Sequence, residues 1–189
     1  MHHWDNYTLN PNLWFDQFGQ APKVHLFAHS MGAYLIQHGF KHYSGSMPSG
    51  KKIETISFAS ADADQNSMRM NTSTAKQLEK FGRRFTNYAS MKDEILTISK
   101  TFPNGGEERL GRGGMPSNAF ASHKGLSCQA LYIKELPQFD DAEDFISHRW
   151  WFHSPGFLKD YALTLANKDG LAEGTRQIDA QGQLILSVP

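Results

Sequence analysis

Short apolar runs alternate with amphipathic stretches along most of the chain. The apolar runs are typical of buried strands in a parallel sheet, and the amphipathic stretches carry their apolar residues at helical spacing. Strands and helices that alternate in this way build βαβ units with right-handed crossovers, so we predict a three-layer α/β/α fold around a mostly parallel sheet. The predicted strands cover residues 23–28, 52–58, 84–89 and 129–133, and the predicted helices cover residues 31–43, 66–82 and 154–165.

Three further stretches complete the predicted organisation. Residues 8–19 have the apolar spacing of a short amphipathic helix, and residues 175–188 resemble a small hairpin. Residues 103–127 are rich in glycine, proline and serine and have few periodic apolar positions, which predicts a long loop with no element of its own. We expect a single domain over residues 1–189, with its core over residues 22–168.

Composition narrows the classes of partner. The chain has 19 basic and 19 acidic residues and no formal net charge, so no global field would hold it on nucleic acid or on an anionic membrane. The single cysteine, Cys128, cannot form an intrachain disulfide, which favours a cytoplasmic location. No signal peptide and no apolar run of about 18 residues is visible, so we expect no membrane span. His38 and His42 lack further ligands nearby in sequence, and we predict neither metal nor cofactor.

One short motif indicates chemistry. Residues 28–32 (AHSMG) have the small-x-Ser-x-Gly form of a nucleophile elbow and lie between a predicted strand and a predicted helix. Such a turn holds its serine, here Ser30, in a strained conformation above the sheet, and the small residues at its ends let strand and helix approach each other. It also aims the backbone N–H of Met31 at the position of a developing oxyanion. The alternative is that Ser30 only caps the helix.

An acidic residue follows the serine at a suitable place. Enzymes with this elbow carry their catalytic residues in the order serine, acid, histidine, each just beyond the end of a strand. Asp93 follows the strand predicted over residues 84–89 after a short connection, which places it at the same sheet edge as Ser30. Glu94 is the adjacent fallback. The alternative for Asp93 is that it only stabilises the dipole of a following helix.

Three histidines follow Asp93 in the chain: His123, His148 and His153. His148 follows the last predicted core strand and precedes the closing helix, where a loop can bring an imidazole over the elbow. His153 directly precedes the cap of that helix and is the runner-up, whereas His123 belongs to the glycine-rich stretch. We therefore predict His148 as the base, although a surface position would also fit its sequence.

Four segments make the sequence similar to an uncharacterised family of bacterial α/β hydrolases. They are residues 24–32, 56–64, 88–93 and 147–152, within a resemblance over residues 24–166. The resemblance implies an α/β-hydrolase fold with Ser30, Asp93 and His148 as the catalytic triad. It also implies Asp62 as a second acidic position at the sheet edge, and Asp62 is the runner-up acid.

The chain departs from that family before the elbow. Members usually begin with several strands, one of whose loops supplies the second oxyanion N–H, whereas only 22 residues precede Lys23 here. We therefore expect an N-terminally truncated fold and reduced activity of the chain alone. The apolar strand that leads to Ser30 should be covered by an upstream segment, by the hairpin around Gln181 and Gly182, or by a second copy of the chain.

These observations predict a serine hydrolase with esterase-like activity. A small carboxylic ester, or a related acyl compound, would form an acyl-enzyme on Ser30, with His148 as base and acid and Asp93 as its orienting partner. The competing hypothesis is a catalytically weak or inactive binding or scaffold domain that keeps the hydrolase fold, because a fold alone does not confer activity.

Overall fold

The computed structural model describes residues 23–43, 53–101, 106–116, 127–133 and 148–187, and for residues 127–131 only the backbone. Its strands are β1 (His25–Ser30), β2 (Ile53–Ala61), β3 (Gly82–Ala89), β4 (Ser127–Tyr132), β5 (Arg176–Ile178) and β6 (Leu184–Leu186). Its helices are α1 (Met31–His42), α2 (Ser73–Phe81), α3 (Glu94–Thr101), α4 (Leu110–Gly113), α5 (Trp150–His153) and α6 (Pro155–Leu165), and a 3₁₀ turn covers Gln65–Met68. In this part of the chain no helix has the length and apolar character needed to cross a membrane.

The described strands form one sheet in the order β1-β2-β3-β4-β6-β5. Strands β1 to β4 and β6 run parallel, and only β5 is antiparallel to its neighbour. Leu26 of β1 is paired with Ile56 of β2, which in turn is paired with Phe85 of β3. Helices lie in the connections between the parallel strands, and the predicted α/β class is confirmed.

The sheet separates two apolar cores. Because successive side chains of a strand point to opposite faces, Phe58 and Ala59 of β2 enter different clusters. The first cluster packs against α1 and α2 through Ala33 and Leu78. The second packs against α5 and α6 and includes Trp150, Phe157 and Tyr88. Helices therefore cover both faces, which gives the three layers.

Helix α2 begins later than the amphipathic pattern predicts. The pattern favours a helix from residue 66, but the helix starts at Ser73 because the side chain of Thr72 accepts a hydrogen bond from the amide of Ala75. The preceding 3₁₀ turn has its own cap, Asp64, whose carboxylate accepts from the amide of Asn66 at 2.8 Å. The predicted helix over residues 8–19 lies outside the described residues.

The glycine-rich stretch contains an element, and the prediction of a loop without one is wrong over residues 106–116. Helix α4 forms there, and the side chain of Leu110 is fully buried in the first core. Leu110 donates its amide to the carbonyl of Ala63, and Arg109 forms an antiparallel bridge with Asp64. A single helical turn is too short to show apolar periodicity, so only its tertiary contacts define it.

The C-terminal hairpin lies at the edge of the sheet opposite β1. Strand β6 pairs with β4, where Tyr132 is opposite Ile185, and β5 is the outermost strand on that side. The hairpin around Gln181 and Gly182, one of the three alternatives for covering the strand before Ser30, therefore does not cover it. Among the described residues, β1 pairs with β2 alone.

Gly111 sits where α4 touches the backbone of β2. A Cβ atom at Gly111 would lie 2.0 Å from the amide nitrogen of Ala61 and 2.4 Å from the carbonyl carbon of Ser60, and neither backbone atom can move away easily. We predict that Gly111→Ala lowers the free energy of unfolding by about 1–3 kcal/mol, as overpacking does. Urea denaturation measures the change.

The matched control is Gly39→Ala in α1, where the added methyl group would meet no atom within 4 Å apart from its chain neighbours and the nearby backbone of its own helix. That variant should be neutral or gain up to about 1 kcal/mol, because alanine favours helix more than glycine does. Equal stability of the two variants would contradict the close approach of α4 to β2.

Candidate active site

Ser30 occupies a sharp junction between strand and helix. It is the last residue of β1, Met31 is the first of α1, and the Ser30 backbone has φ 53° and ψ −129°, a region that L-residues rarely adopt. Its side chain makes no capping hydrogen bond to α1, so the structure does not show the simple N-cap role. A Cβ atom at Gly32 would contact the Cβ of Ala28 at 3.8 Å, so strand and helix lie close together at the elbow.

The neighbouring strand is irregular at the same place. His29 is paired with Ala59, but Ser30 is paired with Ala61, so Ser60 is an extra residue in β2. Ser60 itself has a positive φ of 47°. Bulges of this kind redirect side chains and often lie next to active sites. The two strained serines therefore sit side by side at the carboxyl edge of the sheet.

The amide of Met31 lies at the N-terminus of a twelve-residue helix, α1. The first amides of a helix have no partner within it, and the helix dipole adds positive potential at this end. Met31 is therefore placed at the helix N-terminus immediately after Ser30, as expected for a backbone donor to an oxyanion.

The structure brings Ser30, His148 and Asp93 together. Nε2 of His148 lies 2.8 Å from Oγ of Ser30, and Nδ1 of His148 lies 3.0 Å from each carboxylate oxygen of Asp93. The neutral tautomer with a proton on Nδ1 satisfies both contacts, because Nδ1–H then donates to Asp93 and Nε2 accepts the Ser30 hydroxyl proton. Ser30 and His148 are 118 residues apart in the chain, so the fold creates this contact.

The Asp93 carboxylate contacts two groups among the described residues, the amide of Leu96 and the imidazole of His148. It follows β3 through a turn in which its amide donates to the carbonyl of Ser90, and its side chain is fully buried. One carboxylate oxygen accepts from the amide of Leu96 at 3.3 Å, at the start of α3, in addition to facing His148. Asp93 therefore stabilises a helix start and also contacts His148, whereas the fallback Glu94 is exposed in the first turn of α3.

The second core positions His148. His148 lies in a turn immediately before α5. Trp150, the first residue of α5, is completely buried. The ring of Trp150 meets Phe157 of α6 at 5.7 Å between centroids, and Phe157 meets Tyr88 of β3 at 4.8 Å. Packing of α5 onto the sheet therefore determines where the turn that carries His148 lies.

The two runner-up residues have other surroundings. The carboxylate of Asp62 accepts hydrogen bonds from Oγ of Ser99 and from Nε of Arg109. The imidazole that faces Ser30 belongs to His148, whereas His153 is exposed at the end of α5 with its ring against Phe152. His123 lies outside the described residues.

Asp62 nevertheless supports the site through its backbone. Its amide donates to the carbonyl of Ser30 at 3.1 Å, and its own carbonyl accepts from Nη2 of Arg109 at 2.8 Å. The Arg109 side chain is 2 % exposed and also pairs with the Asp62 carboxylate at 2.7 Å. Sequence patterns did not predict this role of Arg109, because the two residues are 47 positions apart.

His29 is a second residue that the sequence analysis missed. Its Nε2–H donates to the backbone carbonyl of His148 at 3.2 Å, and the two imidazole centroids are 4.7 Å apart. Burial is the main cause that lowers the pKa of His29 below its ordinary value. Its place in the motif, directly before Ser30, is the sequence feature that could have drawn attention to it.

Among the described residues, no group of three or more histidine, cysteine or acidic side chains could hold a metal ion.

The chain matches the model of one protein family, described as "Alpha/beta hydrolase of unknown function (DUF900)", over residues 16–161. The matched range contains Ser30, Asp93 and His148. No curated protein and no solved structure matches the chain.

The ion pair of Arg109 and Asp62 should be important for stability. Removing one partner of a buried pair leaves the other charge uncompensated, so we predict that Arg109→Met lowers the free energy of unfolding by about 3–5 kcal/mol in urea denaturation. The comparison is Lys168→Met, which breaks the exposed pair of Lys168 with Glu173 and should cost no more than about 1 kcal/mol. Similar losses in both variants would contradict the prediction.

Proposed function

The chain belongs to this family of alpha/beta hydrolases of unknown function, and we propose that it is a serine hydrolase that cleaves carboxylic esters through an acyl-enzyme on Ser30. The observation that supports this proposal most directly is the hydrogen-bonded contact from Asp93 through His148 to Ser30. A nucleophile needs a base within hydrogen-bond reach, and the base needs a third group to orient it.

In the proposed first step, Oγ of Ser30 attacks the ester carbonyl carbon while its proton passes to Nε2 of His148. Asp93, fully buried and 3.0 Å from Nδ1, stabilises the imidazolium that forms and keeps the ring in place. The carbonyl oxygen becomes an oxyanion, and the N–H of Met31 donates to it at the N-terminus of α1. The tetrahedral intermediate then expels the alcohol, which takes the proton from His148.

In the second step, water replaces the alcohol. His148 accepts a proton from the water as it attacks the acyl carbon, and returns that proton to Ser30 Oγ when the carboxylic acid leaves. The cycle consumes one water and restores Ser30, so it requires no cofactor. The described residues supply one oxyanion donor, the Met31 amide. An ester carbonyl is intrinsically more reactive than an amide, so esters are the substrate class that this arrangement handles most readily.

Exposed apolar side chains accompany each member of the proposed triad. Met31 and Leu35 are 62 % and 68 % exposed on the first turns of α1, Met91 is 69 % exposed two residues before Asp93, and Phe152 is 64 % exposed four residues after His148. We propose that these side chains line the rim of the site, where large apolar groups favour an apolar ligand. We therefore propose esters that carry an apolar acyl group.

A fluorophosphonate probe tests the proposed nucleophile. We predict that the probe labels Ser30, as read by mass spectrometry of the modified peptide, and that Ser30→Ala abolishes labelling. His148→Ala should reduce the labelling rate to a background level and Asp93→Asn should reduce it by up to about 10⁴-fold, because the triad works as a unit.

His153→Ala and Asp62→Asn serve as comparisons for the runner-up base and acid. Labelling that survives His148→Ala but is lost in His153→Ala would assign the base to His153. Labelling that survives Asp93→Asn but is lost in Asp62→Asn would assign the acid to Asp62. Complete absence of labelling in well-folded protein would favour the competing hypothesis of a binding or scaffold domain.

A panel of nitrophenyl esters tests the proposed acyl group. We predict that kcat/KM rises as the acyl chain lengthens from acetate, by up to about 10-fold for each one to two buried methylenes. Phe152→Ser should reduce this dependence on chain length while leaving acetate hydrolysis nearly unchanged. Ile178→Ser is the matched control, because Ile178 is 62 % exposed on β5 at the other end of the sheet. A flat dependence in the unmodified protein would contradict the apolar acyl group.

A further inference from the structure

His29 connects the strand that carries the nucleophile to the segment that carries the base. It lies one residue before Ser30 on β1, and its Nε2–H donates to the carbonyl of His148, which lies 119 residues later in the chain. Because a carbonyl oxygen only accepts hydrogen bonds, this contact requires a proton on Nε2 of His29. The bond holds the main chain of His148, whereas Ser30 and Asp93 contact only its ring.

Aromatic packing surrounds this hydrogen bond. The His29 ring lies 4.7 Å from the His148 ring and 5.2 Å from Trp151 of α5, between centroids. Phe27, two residues earlier on the same face of β1, meets Trp151 at 5.0 Å. Phe27 and His29 therefore pack the start of α5 against β1, and His29 adds a directional contact that Phe27 cannot make.

The surroundings of His29 favour its neutral form. Burial lowers its pKa, the charges of His148 and Arg149 act in the same direction, and Asp93 and the hydrogen bond to the His148 carbonyl oppose them. Neutrality is useful here, because a positive charge 4.7 Å away would disfavour the imidazolium that His148 forms on taking the Ser30 proton.

We propose that His29 is a positioning residue that fixes the main chain of His148 so that its imidazole reaches Ser30 and Asp93 together. This inference rests on the proposed function of the same site. Among the described residues, hydrogen bonds then hold His148 at three of its atoms: the carbonyl oxygen, Nδ1 and Nε2. A displacement of about 1 Å in such a group can lower the rate by about 100-fold.

Two substitutions separate the hydrogen bond from the packing. His29→Phe keeps a ring of similar shape but removes the donor, whereas His29→Gln keeps an N–H donor at a comparable distance from the main chain. We expect Ser30 of His29→Phe to react with the fluorophosphonate about 10- to 100-fold more slowly, and His29→Gln to recover most of that loss. His42→Phe, at the exposed far end of α1, is the matched histidine control and should react at the original rate.

A spectroscopic measurement makes the test independent of activity. In protein with ¹⁵N-labelled histidine, the proton of His148 Nδ1 that donates to Asp93 should give a downfield resonance, identified by its loss in His148→Ala. We expect His29→Phe to broaden or shift this resonance and His29→Gln to keep it. Thermal unfolding of each variant verifies that the domain remains folded.

The outcomes distinguish the two proposals. An unchanged resonance and an unchanged labelling rate in His29→Phe would overturn the positioning role, and so would equal losses in His29→Phe and His29→Gln, since only packing would then matter. If the unmodified protein is not labelled while the resonance still depends on the donor at residue 29, the positioning role stands and the proposed hydrolase activity fails.

Discussion

The strained backbone of Ser30 is the constraint on which the site depends. A non-glycine residue at φ 53° and ψ −129° costs about 1–3 kcal/mol and persists only where its surroundings over-determine it. The extra residue Ser60 in β2 shifts the register beside Ser30, and the shift allows the amide of Asp62 to donate to the Ser30 carbonyl. The bulge in β2 thus accommodates the turn that follows β1, and the geometry of the elbow depends on both strands.

A short buried segment around α4 connects the turn at Ser30 to the turn at Asp93. Arg109 donates to the carbonyl of Asp62, while the carbonyl of Gly111 accepts from the amide of Ser90 at 2.9 Å. The carbonyl of Ser90 accepts from the amide of Asp93, so continuous contacts run from the turn at Ser30 to the turn at Asp93. The distance between Ser30 and Asp93 is therefore maintained by a segment that contributes no side chain to the proposed reaction.

Local patterns were enough to predict the parallel sheet, the main helices and the position of Ser30, because apolar periodicity and the strand-to-helix motif lie within a few neighbouring residues. They could not predict α4, whose single turn has no period, or the start of α2 at Ser73, which depends on the Thr72 cap. Arg109 and His29 were missed for a different reason. Each acts on a residue far away in the chain, and only the tertiary fold reveals such a contact.

The two cores make separate contributions to the site. Leu110 belongs to the first core, so the segment that braces Ser30 and Asp93 depends on the packing of α1, α2 and α4. Trp150 belongs to the second core, so the turn that carries His148 depends on the packing of α5 and α6. His148 meets Ser30 and Asp93 at the edge of the sheet where these two layers come together. The contact between His148 and Ser30 therefore depends on the packing of both layers, and the role proposed for His29 is to add a direct hydrogen bond between β1 and the main chain of His148.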